Sequence, residues 1–361
     1  MKPPKLPAAI SAAMTSLGAL SRREILAVGA SDNDLRRWVR QGVLLRVRGG
    51  IYTTRTVDED GDFLATLRGA AKAGDDVVVS HRAAAALYDL PLWSRDPIPE
   101  VTRAEGGSQI PGVRVHRYGV APDQIVQRSG LRVTSLERTL IDVCRVVPLS
   151  EALVTLDAAA RDLGPDFELF GRLLEQLGDI NFRKRAWQAA QWVDGLAENP
   201  FESFSRGQLL QQGIPRPLLQ WWVGDGADTW YRPDKLWPWV GLIGEADGRG
   251  KYRRDTRAGP DPLVLEKDRQ DWFDDRDFAL VRWGVRRIAL TPGDVAARWR
   301  TLERRQISRG WTWPEGVWLV RPGPWPPSRA GIRDEAARVD RSARDRSVSV
   351  IHAPVPQPKS G

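Results

Sequence analysis

The stretch Tyr231-Arg-Pro-Asp234-Lys-Leu-Trp237-Pro-Trp-Val-Gly-Leu-Ile-Gly-Glu245-Ala-Asp247 constrains this chain more than any other. Its two short apolar segments, Lys235–Trp239 and Val240–Gly244, read as strands joined by a tight turn at or near Pro238. A carboxylate stands at each outer end, Asp234 before the first segment and Glu245 after the second. Antiparallel pairing folds the chain back on itself, so the two acids come to lie side by side. A bare carboxylate next to an apolar strand is costly to desolvate, which sets this pair apart from ordinary surface acids. Two such groups suit a hard cation such as Mg²⁺, which binds one or two carboxylates and keeps several waters for a phosphate substrate. Lys251 follows on the same side, where an ammonium faces the attacking water or the scissile phosphate. The outline is that of a metal-dependent phosphodiesterase, with Asp234 and Glu245 as metal ligands.

An acid, a hydrophobic hairpin and then Glu245-x-Asp247-Gly-x-x-Lys251 resembles the PD-(D/E)xK nuclease fold in its very-short-patch-repair-like branch. Upstream, Glu202-Ser-Phe-Ser and Gly213-Ile-Pro-Arg-Pro-Leu-Leu-Gln220 extend the likeness. Downstream, Leu265-Glu-Lys-Asp-Arg-Gln-Asp271 and Phe278-Ala-Leu-Val-Arg-Trp283 carry it on, in the family's order. The resemblance implies a restriction-endonuclease-like α/β domain over 199–310. It also implies Glu202, Asp234 and Glu245 as acidic site residues, Gln220 as a polar neighbour, and Asp247 and Lys251 as the residues after the glutamate. Two positions depart from the pattern. The lysine is not two residues after Glu245, where Asp247 stands, and Lys235 occupies a place that such sequences usually give to an apolar residue. Glu202 carries a second reading, because Asn199-Pro200 before it looks like an N-cap and a first-turn proline, with the acid compensating the helix dipole. Asp247-Gly248 is likewise a common turn dipeptide.

A net charge of +8 and a pI near 9.9 favour a polyanionic partner, most simply DNA. Cys144 is the single cysteine, which excludes an intramolecular disulfide and a cysteine-based zinc site, and its apolar helical setting reads as a small buried hydrophobe. His81, His116 and His352 are too scattered for a histidine metal cluster. No run of apolar residues is long enough to span a membrane and the N-terminus lacks a signal-peptide core, so a soluble, cytoplasmic protein with no membrane partner is expected.

Before this domain the chain begins with a short helix over 8–17. Ser21-Arg-Arg-Glu24 then makes a capping box for a second helix, and Ser31 caps a third over 32–41. On the third helix Leu35, Trp38 and Val39 share one face, leaving Asn33, Arg36, Arg37 and Arg40 on the other. Residues 43–52 alternate around Gly49-Gly50 as a hairpin bearing Arg46 and Arg48. Three short helices and an arginine-bearing hairpin over 8–56 describe a winged helix-turn-helix. In such a domain the third helix enters the major groove and the hairpin touches phosphates. The expected nucleic-acid contacts are Asn33, Arg36, Arg37, Arg40, Arg46 and Arg48.

Leu20-Ser-Arg-Arg-Glu24 through Val47-Arg-Gly-Gly-Ile-Tyr52 is similar to the N-terminal domain of AbiEi-type antitoxins. Ser80-His81-Arg82-Ala-Ala-Ala-Ala-Leu87 and Thr134-Ser-Leu-Glu-Arg138-Thr139-Leu-Ile-Asp142 match the segment that follows in those proteins. This resemblance implies a transcriptional repressor, with a cognate toxin and self-association among its expected partners. The middle α/β region, 60–180, reads as helices over 62–73, 80–88, 136–146, 149–163 and 167–177, with strands over 99–103, 113–118 and 131–133. Ser80 is the expected cap of its helix, His81 and Arg82 form a capping network or meet a phosphate, and Arg138 pairs with Asp142. The pattern suggests no chemistry there. A basic linker helix over 181–198 leads to the nuclease-like domain, and the Pro/Arg-rich segment 321–361 reads as a loose tail.

Overall fold

The computed structural model describes residues 6–320, apart from 18–19, 48–49, 55–58, 72–73, 75, 95–98, 104–108, 111, 165–167, 169–170, 172–182, 226–228 and 248–261. The proposed tail over 321–361, Arg48 and Lys251 therefore lie outside the described residues. The fold is mixed α/β and divides into two compact units, 1–148 with 165–191 and 149–164 with 192–361.

The first unit opens with α1 (Ala8–Leu17), β1 (Leu20–Ser21), α2 (Arg22–Ala27), α3 (Asp32–Arg40), β2 (Leu44–Val47) and β3 (Ile51–Thr54). Both expected caps form as reciprocal boxes. Ser21 Oγ accepts from the Glu24 amide while Glu24 Oε2 accepts from the Ser21 amide, and Asp34 does the same for Ser31. Leu35 and Trp38 turn inward onto Ile10, Met14, Leu20, Ile25, Leu44 and Tyr52, which leaves the polar face of α3 to solvent. The three strands pair antiparallel in the order β1-β3-β2.

After α4 (Glu59–Ala71) comes a five-stranded sheet of β4 (Val78–Val79), β5 (Glu100–Arg103), β6 (Arg114–Arg117), β7 (Ile125–Arg128) and β8 (Leu131–Thr134), ordered β6-β5-β4-β8-β7. Strand β4 has only two residues, too few for alternation to reveal it. The β7–β8 hairpin closes on Ser129-Gly130, both at positive φ, as a two-residue turn demands. Helices α5 (His81–Leu87) and α6 (Leu136–Val146) also belong to this unit; α7 (Leu149–Leu163) falls in the second unit, and α8 (Arg183–Trp192) returns to the first.

Helix α7, expected in the middle region, groups with the second unit. It packs on α9 (Pro200–Gln211) because Gly207 lets the backbones touch: a Cβ there would lie 2.5 Å from Ser150 Cα. Arg206 Nη2, nearly fully buried, clamps both Asp157 oxygens at 2.8 and 2.7 Å, tying the two helices across the sequence between them.

The remainder of the second unit holds β9 (Leu218–Leu219), β10 (Trp222–Gly224), β11 (Trp230–Tyr231), β12 (Lys235–Trp237), β13 (Leu242–Asp247), α10 (Pro262–Asp274), β14 (Ala279–Gly284), α11 (Val285–Leu290), α12 (Pro292–Ser308) and β15 (Trp318–Val320). One sheet runs β14-β13-β12-β9 and the other β11-β10-β15. The hairpin differs from its expected bounds. Its turn takes Pro238–Gly241, with Gly241 at φ 56°, so β13 starts later and runs to Asp247, placing Glu245 inside the strand. Gly244 is required in β13, since a Cβ would stand 2.8 Å from the Trp283 ring and 2.9 Å from that of Trp237.

Candidate functional site

Strands β12 and β13 pair antiparallel with Lys235 opposite Gly244, so the next step along the register sets Asp234 opposite Glu245. The two acids are brought together as the hairpin reading required. Both are nearly buried, and Asp234 Oδ2 accepts the Ala246 amide at 2.9 Å, which fixes the carboxylate over β13. Glu245 Oε1 accepts from Arg269 Nη1 of α10 at 2.9 Å. The other edge of that guanidinium, Nε and Nη2, donates to Glu266 at 3.1 Å each, and Glu266 also receives Arg282. Arg269 lies in the Leu265–Asp271 run of the family likeness but was not among the expected site residues.

Glu202 takes the capping place that its sequence allowed. Asn199 Oδ1 caps its amide at 3.0 Å, and its carboxylate accepts the Glu198 amide at 2.8 Å together with the Asn199 side chain. Gln220, held at φ 59°, donates to Glu202 Oε2 at 3.1 Å, so the expected polar neighbour does touch the expected acid. Burial, and then the charge of Asp234, raise the Glu202 carboxyl above its ordinary range. Asp247 is exposed at the end of β13.

Lys235 completes the cluster. Its side chain is fully buried, its Nζ has no hydrogen-bond partner among the described residues, and it lies 5.4 Å from the Trp283 ring centroid. Burial lowers the ammonium's pKa; the charges of Asp234, Glu202 and Glu245 oppose that, while Arg206 adds to it. The signal for this residue was a charge in a run that is otherwise apolar.

As a donor set, two hard carboxylates fit a cation that keeps most of its waters, not an all-protein cage. Among the described residues no group of three or more His, Cys, Asp or Glu side chains is arranged to hold a metal ion. Asp234 and Glu245 are the residues that would hold Mg²⁺.

On the other unit, Arg22, Asp32, Asn33, Arg36, Arg40, Arg46 and Tyr52 line an open groove of about 760 Å³ between α3 and the β1-β3-β2 sheet. Arg37 is not part of it: its Nη2 holds Asp34 Oδ1 at 2.6 Å.

The middle region contains a buried polar network that pattern reading missed. His81, at φ 54° and without solvent exposure, stacks on His116 with centroids 3.5 Å apart. Thr102 Oγ1 donates to Ser80 Oγ at 2.7 Å, so Ser80 donates to His81 Nδ1 at 2.8 Å instead of capping its helix. Tyr118 donates to Asp142 Oδ1 at 3.0 Å and sits 3.0 Å from His81 Nε2, which assigns the imidazole proton to Nε2. Burial, and then His116, hold His81 well below its ordinary pKa, so it is neutral. Arg82 forks onto Glu100 at 3.0 and 2.9 Å and is unavailable to a phosphate. Arg138 pairs with Asp142 at 3.1 Å as expected. Cys144 is buried and free, its thiol pushed up to about 12 by burial.

No protein-family model matches the chain. The uncharacterized proteins MT2308 and Rv2248 of Mycobacterium tuberculosis (strains CDC 1551 and H37Rv) are each 29% identical to it over 273 residues, covering 75% of this chain and 96% of their own length. The crystal structure of the RV2827C protein from the same species matches with a TM-score of 0.35 at 16% identity, over 60% of this chain and 84% of that one. Among the described residues no helix is long and apolar enough to cross a membrane.

Proposed function

We propose that this is a DNA-binding protein carrying a PD-(D/E)xK-like nuclease site. In this reading α1–α3 and β1–β3 form a winged helix-turn-helix that engages DNA, and the site at Asp234 and Glu245 hydrolyses a phosphodiester bond. The observation that carries the reading is the strand register that opposes these two buried acids, with Gln220 and Glu202 hydrogen-bonded to each other in the same unit. Mg²⁺, when bound, supplies a polarised water and neutralises charge on the phosphate. Asp234, oriented by the Ala246 amide, and Glu245 would be its ligands. Lys235 interacts electrostatically with Asp234, Glu202 and Glu245, and Gln220 holds Glu202 in place. The test is nicking of supercoiled plasmid with and without Mg²⁺ or Mn²⁺. Asp234→Asn and Glu245→Gln are expected to abolish cleavage while duplex binding persists, and full activity in both variants sinks the assignment.

A second reading, an AbiEi-like repressor with a toxin partner whose nuclease fold only binds, is favoured by one observation. Arg269 already sits on Glu245 as an internal cation. A protein that binds duplex DNA tightly but never nicks it with either metal supports this reading over the first.

A further inference from the structure

The groove against α3 has a charge distribution that separates arginines which the sequence treats alike. Four guanidinium groups line it, Arg22, Arg36, Arg40 and Arg46, against the single carboxylate of Asp32. That carboxylate is already answered: Arg22 Nε donates to Asp32 Oδ1 at 2.7 Å and its Nη2 to the other oxygen. Arg36 and Arg40 are one helical turn apart on the solvent side, and Arg46 projects from β2 across the groove. All three are exposed and make no ion pair among the described residues. Asn33 and Tyr52 also line the groove and add neutral donors. Arg37 is different, since Asp34 neutralises it on the flank of α3 that does not line the groove.

We infer that this groove seats one sugar–phosphate strand of a DNA duplex, with Arg36, Arg40 and Arg46 as its phosphate contacts and Arg37 outside the interface. The inference rests on the DNA-binding reading above and goes further, dividing the basic face into contacts that neutralise phosphate and one that does not. An open groove lined by Arg36, Arg40 and Arg46, none of them in an ion pair among the described residues, matches a polyanionic strand, whose charges recur along its length. Because the contact is to phosphate, the ammonium of a lysine can replace each guanidinium, whereas a bidentate base contact requires the planar fork.

The experiment measures binding of the full chain to a short fluorescent duplex by anisotropy across a salt series, in Ca²⁺ so that no cleavage intervenes. Arg36→Ala, Arg40→Ala and Arg46→Ala are each expected to lower the slope of log K against log salt by roughly 0.9. Arg37→Ala is expected to leave the slope unchanged, and Arg36→Lys and Arg40→Lys to retain it. All four positions are exposed to solvent, and circular dichroism confirms the fold of each variant. A slope that falls as much in Arg37→Ala as in the groove variants overturns the division, as does an unchanged slope in all three groove variants. Loss of affinity in Arg36→Lys equal to that in Arg36→Ala overturns the phosphate assignment in favour of base readout. Equal affinity for the single strand overturns the duplex. Absence of any binding at low salt overturns the DNA-binding reading itself, a result distinct from the others.

Discussion

Replacing Lys235 with methionine separates stability from activity at one atom. The ammonium is fully buried and donates no hydrogen bond to any described residue, and burial outweighs the attraction of Asp234, Glu202 and Glu245 in setting its pKa. It is therefore held in a place less favourable than water. Methionine keeps the length and bulk of the stem beside Trp283 and removes the desolvated charge. A buried ammonium held below its ordinary pKa is a net cost to the fold, and the loss of a cation beside the neighbouring acids offsets part of the gain from removing it, so a stabilisation of about 1 kcal/mol is expected. Each kcal/mol moves the midpoint of a unit this size by about 2–4 °C, which calorimetry resolves. The same variant is expected to lose at least tenfold in nicking rate, the trade between stability and function that a charge kept at such a site implies. A midpoint lowered by several degrees would refute the reasoning, because it would show that the ammonium is the counterion on which the three acids depend.

The other expectations are more direct. Arg269→Gln frees Glu245 of its internal cation and should tighten Mn²⁺ binding by several-fold in titration calorimetry, with Glu245→Gln abolishing it; unchanged affinity removes Arg269 from the site. In the first unit, burial by itself would raise the Glu100 carboxyl, but His116 and Arg82 together bring it down to about 2. A depressed folded pKa gives stability that is present above the ordinary 4.5 and is lost as pH falls toward 2, on the order of 3 kcal/mol in all. Glu100→Gln should flatten acid unfolding in that window, and an unchanged profile argues against the Arg82–Glu100 pair. Arg206→Met leaves Asp157 buried and unpaired, so it should cost about 3–5 kcal/mol by urea unfolding, whereas a cost below about 1 kcal/mol contradicts the clamp between α7 and α9.

What the sequence determined by itself was local. The capping boxes at Ser21 and Ser31 and the Asn199 cap follow from residues three apart, and the helices they open lie within a residue or so of their expected starts. The opposition of Asp234 and Glu245 was legible for the same reason, since a short hairpin leaves the chain few ways to return. Even there the tertiary structure moved Glu245 into the strand, because Gly241 must pass under the Trp311 ring and lengthens the turn. Tertiary structure alone decided the rest. The histidine stack exists because β6 lies at the edge of a sheet ordered β6-β5-β4-β8-β7, which carries His116 and Tyr118 to a helix that begins 33 positions before Arg114. Helix α7 joined the second unit through an ion pair spanning 49 residues, and Arg269 reached Glu245 across 24. Lys235 looked like a misplaced charge until the packing of Trp237, Trp283 and Gly244 enclosed it. Periodicity and capping record what neighbouring residues do to one another; which distant charges meet is set by strand order and by where a missing Cβ lets two backbones touch.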